Sequence, residues 1–538
     1  MIGGEIRVDR VLGAGAFREI GRPRAAAICA ERALIAVGGA HTHPQWHGRD
    51  VSSRARGVAH RPRRGWYPTA VYRTGDLHCL LYVTTVWPAN ALAFHPTLPL
   101  LAIGTGSYDG GYLYEGELLL LNLTTGDSVS LLADAREIRG VTWRDPHTLD
   151  LLLAIACDDD EEHFGTTTVT CSVHRDDWQQ ATPGMLRPPF DERPHPDHAP
   201  AGPAAAAAVL EELSTAWTPR AAVWAVATLT DGRILAASED GDVQCWTPDS
   251  DTPVWRTPTG GGAYQLRTTP GEQQALVLVQ PRREYSNGWW RTPPGAVLDV
   301  DPGDGSVRAT HRTDAPAVLV GRSDGRWALR DTDHTATGTT AGQVRLNPTM
   351  VPLGGYDLFN HYFDIRYAPD LLFLQGRPGK PSKDKAVVAV DTPGGQVRRL
   401  FALEWDTTRG GHLFGGCGAY IDDRDGPAIV YSGAVHDGRG LLPGNAFVVR
   451  RAYPSGEPQW VFTADAQVTA VDVDAENVYV AYNNGELVTL RATDGTVRAR
   501  QLLHVGGHPV VPLALARHGA DRLAIGTLDG RVLDCVIG

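Results

Sequence analysis

The chain has 538 residues, a net charge of −12 and a charged fraction of 21%, an ordinary globular balance that puts a sizeable core within reach. The acidic balance argues against a general nucleic-acid binder, whose footprint is basic. The cysteines stand singly, at Cys29, Cys79, Cys157, Cys171, Cys245, Cys417 and Cys535, which excludes a zinc ribbon or a dithiol motif.

The opening, MIGGEIRVDRVLGAGAF, lacks the apolar core of a signal peptide, and no run approaches the roughly 18 apolar residues of a membrane span. Together with the scattered thiols this predicts a soluble, cytoplasmic protein without membrane attachment. Of 50 basic residues only Lys380, Lys383 and Lys385 are lysines, an arginine bias that points to a GC-rich bacterial genome. Sixty glycines and 37 prolines, spread along the chain, predict many turns.

Residues 5–12, EIRVDRVL, read as a lone strand. The overlapping VLGAGAF at 11–17 looks like a kinase glycine-rich loop. However, the next strand, AAAICA at 25–30, has no lysine, and neither His-Arg-Asp nor Asp-Phe-Gly follows, so that reading fails. A weak four-strand unit spans 25–84. Within it, 41–69 is an arginine-rich insertion with Arg49, Arg54, Arg56, Arg61, Arg63 and Arg64 against Asp50, flanked by Trp46, Trp66 and Tyr67. Arginines interleaved with aromatics suit an acidic protein partner or a nucleic-acid backbone; a solvated hairpin tip is the competing reading. His41, His43 and His47 lie here too, but no carboxylate beyond Asp50 completes a metal set.

The unit at 90–132 is clear: NALAFHP, LLAIGTG, ELLLLNL, a Thr-Thr-Gly turn and DSVSLL. In the next, 138–174, the run Asp158–Glu162 with His163 is oxygen-rich. Adjacent residues point in different directions, unlike a calcium loop, so it reads as a hairpin tip. Residues 178–219 form a second insertion, an extended proline-rich stretch and then an alanine-rich helix over 203–217 with Val209, Leu210, Leu213 and Trp217 along one side. It is expected to pack on the rim or across a face, with partner docking as the alternative.

Four-strand units follow at 222–257, 263–310, 315–350 (weak), 356–402, 413–462, 468–502 and 508–538. In 468–502 the strands VTAVDV, VYVAY, ELVTLRA and TVRARQL are separated by Asn-Asn-Gly and Thr-Asp-Gly turns. Asn-Gly and Asp-Gly supply the positive φ that tight hairpins need. A third insertion, 281–294, carries Tyr285, Trp289 and Trp290, a contact hot spot if exposed and packing if tucked in. A fourth, 376–386, holds all three lysines and reads as a mobile hairpin tip.

Four strands joined by three hairpins make one propeller blade. The ten candidates predict an all-β chain, a single large β-propeller over 1–538 of seven to ten blades. The last unit has three strands, so 5–12 is expected to supply its fourth and close the ring. NALAFHPTLPLLAIGTG at 90–106 resembles the opening strands of WD-repeat proteins. LNLTTGDSV (121–129), VRRAYPSGEPQWVF (449–462) and LRATDGTVRA (490–499) resemble pyrroloquinoline-quinone-type repeats. No Gly-His pair opens the blades and no Trp-Asp closes them. The resemblance implies the propeller fold.

There is no GxSxG elbow, Walker loop or HExxH motif. The expected function is a non-catalytic interaction scaffold in a bacterial multiprotein system, without cofactor or metal. Its partner-binding residues would be those of 41–69 (Arg49, Arg54, Arg56, Arg61, Arg63, Arg64, Trp46, Trp66) together with Tyr285, Trp289 and Trp290. One or more proteins are the expected partners, with nucleic acid conceivable through 41–69. Two alternatives stay open. One is a hydrolase or lyase with its site in the central channel; the other is a regulatory subunit of a bacterial defence or signalling operon, by analogy of fold only.

Overall fold

The computed structural model describes the chain except residues 1–3, 14, 41–66, 109–112, 158–164, 199–201, 216, 282–283, 287–288, 292, 314–315, 333–342, 347–348, 354–362, 378–383, 393, 404–411 and 438–439. The arginines, Trp46 and Trp66 of the first insertion, its histidines, the acidic run at 158–163, Lys380 and Lys383 therefore lie outside the described residues.

The protein is all-β, built from antiparallel sheets that are mostly four-stranded. Sheet A contains Arg22–Cys29, Leu34–Ala40, Tyr67–Arg73 and Cys79–Thr85; sheet B, Ala89–Phe94, Leu100–Thr105, Leu118–Asn122 and Ser128–Ser130. Sheet C contains Ile138–Trp143, Thr148–Ala154, Thr168–His174 and Arg193–His195, its last strand coming from inside the proline-rich insertion. Sheet D runs from Val223–Thr228 to Trp255–Pro258, sheet E from Gly262–Thr268 to Val307–Arg312, and sheet F from Ala317–Gly321 to Met350–Pro352. Sheet I runs from Val468–Val473 to Val497–Leu502, and sheet J joins Pro512–His518, Arg522–Thr527 and Val532–Ile537 to the N-terminal strand Ile6–Leu12.

The repeat expected at 356–402 differs. Sheet G has only three strands, Leu371–Gln375, Ala386–Val390 and Val397–Ala402. The segment that was to be its first strand, Asp364–Arg366, instead pairs in parallel with His412–Asp423 of sheet H. Sheet H continues through Gly426–Asp437, Gly440–Ala452 and Pro458–Ala464. The tight turns behave as their sequences require: Gly485 of the Asn-Gly turn in sheet I sits at φ +89°, a region closed to a side chain at little cost only for glycine.

By internal contacts the chain divides into two compact units. One takes the N-terminal residues up to Ala14 and then Ala221–Gly538; the other is drawn from Gly15–Arg220.

In the first unit each core cluster is shared by two sheets. Sheets D and E meet through Leu235, Val243, Leu266 and Val277; E and F through Leu276, Val297 and Leu319; F and G through Val344, Phe373 and Val388. G and H meet through Phe401, Tyr431 and Phe447; H and I through Val448, Trp460 and Val480; I and J through Tyr479, Leu515 and Leu533. A seventh cluster, with Leu12, Val223, Ile234, Trp246, Ala514 and Val532, packs sheet J against sheet D. Strand Ile6–Leu12 pairs with Val532–Ile537 from Ile6 opposite Ile537 to Leu12 opposite Val532. The side chain of Gln501 then grips the backbone of Ile6 at both its N–H and its carbonyl. Outermost strands carry arginines such as Arg308, Arg398 and Arg500, each paired with a carboxylate, a charge pattern that discourages pairing with another chain.

In the second unit, sheets A, B and C stack through two shared cores. The free face of A is covered by Phe17, Ile20, Leu210 and Trp217. The opposite face of C carries Arg144, Asp150 and Ser172, hydrogen-bonded to one another. A stack of repeats needs such a polar or covered face at each end.

The helix spans Pro203–Leu213, shorter than the expected 203–217. It stops because Ser214, extended in φ/ψ, closes the last turn by donating its N–H to the Leu210 carbonyl. Trp217 still reaches the same core as Leu210, through the turn rather than along the helix. The helix therefore packs on sheet A through Ala206 and Leu210. No described helix is long and apolar enough to cross a membrane.

Candidate functional site

The first strands of seven sheets share one irregularity. In A, B, C, D, E, I and J the register slips near the strand's start, leaving one extra residue: Arg24, Asn90, Arg139, Trp224, Tyr264, Thr469 and Leu513. A bulge re-aims a side chain, so these positions form a recurrent set.

In the second unit the set is polar and linked. Arg24 donates to Asn90 Oδ1 at 3.0 and 2.7 Å, and Asn90 Nδ2 donates to the Gly106 and Ile138 carbonyls. Arg139 pairs with Glu137 at 3.3 Å and donates to Thr168 Oγ1 at 2.7 Å. Burial lowers the Arg24 pKa, with Tyr67 and Glu137 pulling the other way; burial pushes the Tyr67 hydroxyl up to about 12. In the first unit, Thr469 donates to the Pro512 carbonyl at 2.7 Å, tying I to J. Trp224 and Tyr264 instead place their rings 6.2 Å apart, with Trp224 Nε1 donating to Glu239 at 3.3 Å.

The densest set of charges surrounds Asp364–Arg366. On a strand, residues two apart share a face, so Asp364 and Arg366 lie together while Ile365 enters the core shared by G and H. The parallel pairing requires a small neighbour: a Cβ on Gly418 would meet the Val430 carbonyl oxygen at 2.3 Å and Ile365 Cδ1 at 2.7 Å. Asp364 is ion-paired with Arg267 of sheet E, next to Gln265, whose amide both donates to the Leu319 carbonyl and accepts the Leu319 N–H of sheet F. Arg366 donates to the Leu515 carbonyl of sheet J at 2.9 Å and to the Val471 carbonyl of sheet I at 2.7 Å. It also pairs at 2.9 Å with Asp472, whose side chain is 1% exposed. Asp472 further accepts the N–H of Val473 and of Arg517. One three-residue strand thus joins the first strands of sheets E, I and J to strand His412–Asp423 of sheet H.

The protonation states follow from these neighbours. Burial opposes the Arg366 charge, but Asp472, followed by Tyr367, Asp364 and Cys417, more than offsets it, and the guanidinium stays charged. Burial pushes the Cys417 thiol up against the pull of Ser432 and Arg366, which leaves it a poor nucleophile. Asp472 pushes the Tyr367 hydroxyl up, with Arg366 opposing. Tyr367 itself is 52% exposed and sits at φ +64°, a strained region for a bulky side chain.

Of the expected partner-binding residues, only Tyr285, Trp289 and Trp290 fall among the described residues. Strands Glu284–Ser286 and Trp289–Arg291 form a two-stranded ribbon with Tyr285 opposite Trp290, between the second and third strands of sheet E. Lys385, expected on a mobile tip, is instead buried and donates to the Leu413 carbonyl of sheet H. Arg267, Asp364, Arg366 and Asp472 were missed. Each is an ordinary polar residue in a strand, and the only local signal was the single apolar Ile365 between two charges. Among the described residues, no group of three or more His, Cys, Asp or Glu is placed to hold a metal.

No family model matches the chain, and no curated protein matches it.

Proposed function

We propose that Ala221–Gly538 with strand Ile6–Leu12 is a seven-bladed β-propeller of the WD-repeat and quinone-repeat kind, and that residues from Gly15 to Arg220 are a three-sheet arm inserted before its first blade. Seven blades fall within the usual four to eight, whereas ten would not. The protein acts as a non-catalytic interaction platform in a bacterial multiprotein system.

One observation carries this reading. Propeller enzymes bring catalytic groups to the inner strands of several blades; here those groups bind each other and the backbone. Arg366 is committed to Asp472 and to two carbonyls, and Asp364 to Arg267. The inner strands are thus tied together by the side chains that a channel enzyme would keep free. Affinity capture of the tagged chain from its native host, beside a variant lacking 41–69, tests the proposal. A stoichiometric protein partner lost with the loop supports it; a partnerless chain sinks it.

A second reading, a channel enzyme, is favoured by Tyr367, exposed at a strained φ beside Arg366 and Asp472. Turnover of sugar or lactone substrates that disappears in Tyr367→Phe would establish it in place of the platform.

A further inference from the structure

On the first strands of sheets C, E and J the arginines are paired with carboxylates: Arg139 with Glu137 at 3.3 Å, Arg267 with Asp364, and Arg517 with Asp474. Arg24, at the bulge in the first strand of sheet A, breaks that pattern. It is partly buried, and no carboxylate among the described residues is ion-paired with it. Asn90 accepts from Arg24 and donates in turn to Glu137 Oε1 at 3.3 Å, but Glu137 already neutralises Arg139. Two guanidiniums therefore share one carboxylate that is 6% exposed, and the cluster lacks one negative charge. Asp197 does not supply it, since it is exposed, screened by water, and bound to the hydroxyls of Thr166 and Thr167.

The way Arg24 is held leaves one end of it open. Nε at 3.0 Å and Nη2 at 2.7 Å both donate to Asn90 Oδ1, which occupies one side of the planar group. The end formed by Nη1 and Nη2 has no acceptor among the described residues. That end presents two parallel N–H groups, the fork to which a carboxylate binds through both oxygens.

A second donor stands on the same side. Arg24 points towards sheet B, where Asn90 lies in the first strand. Thr69 is paired with Gly38, and a Cβ added at Gly38 would meet Ala89 of sheet B at 2.5 Å, so this face of sheet A looks at sheet B. Tyr67, two residues from Thr69, shares that face. Arg22 opposite Ala40 and Tyr67 at the start of the third strand put both groups at one end of the sheet. Tyr67 is partly exposed and its hydroxyl has no partner among the described residues. Burial pushes that hydroxyl up to about 12, so it keeps its proton and can donate it.

We propose that Arg24 and Tyr67 form a binding site for the carboxylate of a small organic acid, its two oxygens on the Nη1/Nη2 end of Arg24 and one of them also accepting from the Tyr67 hydroxyl. The site goes beyond the platform reading and does not depend on it. A carboxylate supplies the single charge that Arg24, Glu137 and Arg139 lack together, and it supplies it to a cation that burial otherwise disfavours. Phosphate fits less well, because near neutral pH it brings roughly two charges where one is missing. Chloride has the right charge but cannot use two N–H groups as a fork.

The test uses the full chain and saturation-transfer NMR on the methyl signal of acetate, at about pH 8 where acetate is ionised and in constant excess chloride. Inorganic phosphate is then added as a competitor. Three variants are compared with wild type: Arg24→Lys, which keeps the charge and loses the fork; Tyr67→Phe; and Arg500→Gln, an exposed arginine of sheet I paired with Glu486. The site predicts saturable acetate binding that is about tenfold weaker in Arg24→Lys and roughly three- to tenfold weaker in Tyr67→Phe, the loss of one hydrogen bond to a charged group in each case. Arg500→Gln should bind as wild type does. Circular dichroism and melting of the two conservative variants should match wild type, which assigns their losses to the site. No saturable acetate signal, unchanged binding in Arg24→Lys, or an equal loss in Arg500→Gln overturns the proposal. So does phosphate that displaces acetate at a concentration below acetate's own dissociation constant.

Discussion

Replacing Arg366 by methionine removes the cation that joins the first strands of sheets I and J. The variant loses two hydrogen bonds to carbonyls, at 2.9 and 2.7 Å, and the 2.9 Å pair with Asp472, a carboxylate with 1% exposure. Removing one member of a buried pair costs about 3–5 kcal/mol, because a charge stays buried without compensation. Asp472 keeps the N–H groups of Val473 and Arg517, so the lower end, about 3 kcal/mol, is expected. With an unfolding entropy of ~2.1 cal/mol/K per residue over roughly 330 residues, that lowers Tm by about 4 °C. The assay is calorimetry of wild type, Arg366→Met, Asp472→Asn and the double variant, following the transition of the unit that holds both residues. The pair should couple by about 1–3 kcal/mol, the double variant being more stable than the sum of single losses. Additive losses, or an Arg366→Met protein melting within about 1 °C of wild type, would refute the reasoning.

Other expectations follow from single features. Hydrogen bonds from the fully buried Arg450 hold the Asp423 carboxyl below its ordinary value of 3.8. A depressed carboxyl contributes stability that is present above the unfolded value and lost as pH falls through the folded one. Wild type should therefore exceed Asp423→Asn in Tm at neutral pH by a margin that closes below about pH 4; a pH-independent margin would show that the charge is not the cause. Gly456→Ala should be much worse than Gly426→Ala. Both glycines have positive φ, but a Cβ at Gly456 would lie 2.0 Å from Phe401 Cγ while Gly426 has open space. About 1 kcal/mol is expected at Gly426 and several at Gly456 from urea unfolding, and equal costs would contradict the packing. Deleting residues 1–12 uncovers the edge of strand Val532–Ile537. Size-exclusion chromatography should then show oligomers or aggregate, and an unchanged monomer would mean that the strand does not protect that edge.

Much of the fold was legible. Nine of the ten repeat segments read from alternating strands and Gly turns correspond to one sheet each, because a hairpin is encoded by its own residues, while 356–402 is divided between sheets G and H. What escaped was set by distant partners. Asp364–Arg366 looks like the first strand of its own repeat, but glycines at 415 and 418 give sheet H room for an extra parallel strand. The last strand of sheet C hides in proline-rich sequence, and its Arg193–His195 pairing gives no periodic signal. The division into two units depends on which sheet faces meet, above all Val223 and Ile234 against Ala514 and Val532, and no local pattern reports that. These charged pairs were invisible for the same reason, since Arg267 and Asp364, or Arg366 and Asp472, are brought together only by the stacking of sheets.

The account stands most directly on the meeting of sheets D and J, 303 positions apart at Val223 and Gly526. A Cβ on Gly526 would lie 3.1 Å from Val223 Cβ, a few tenths of an ångström under the disulfide range of about 3.5–4.5 Å. The measurement is oxidation of the Val223→Cys, Gly526→Cys variant followed by peptide mapping under non-reducing conditions. The account predicts one linked peptide pair joining these positions, formed in the folded monomer and absent after unfolding. A folded variant that never forms that link, while its introduced thiols react with reagent, would contradict it.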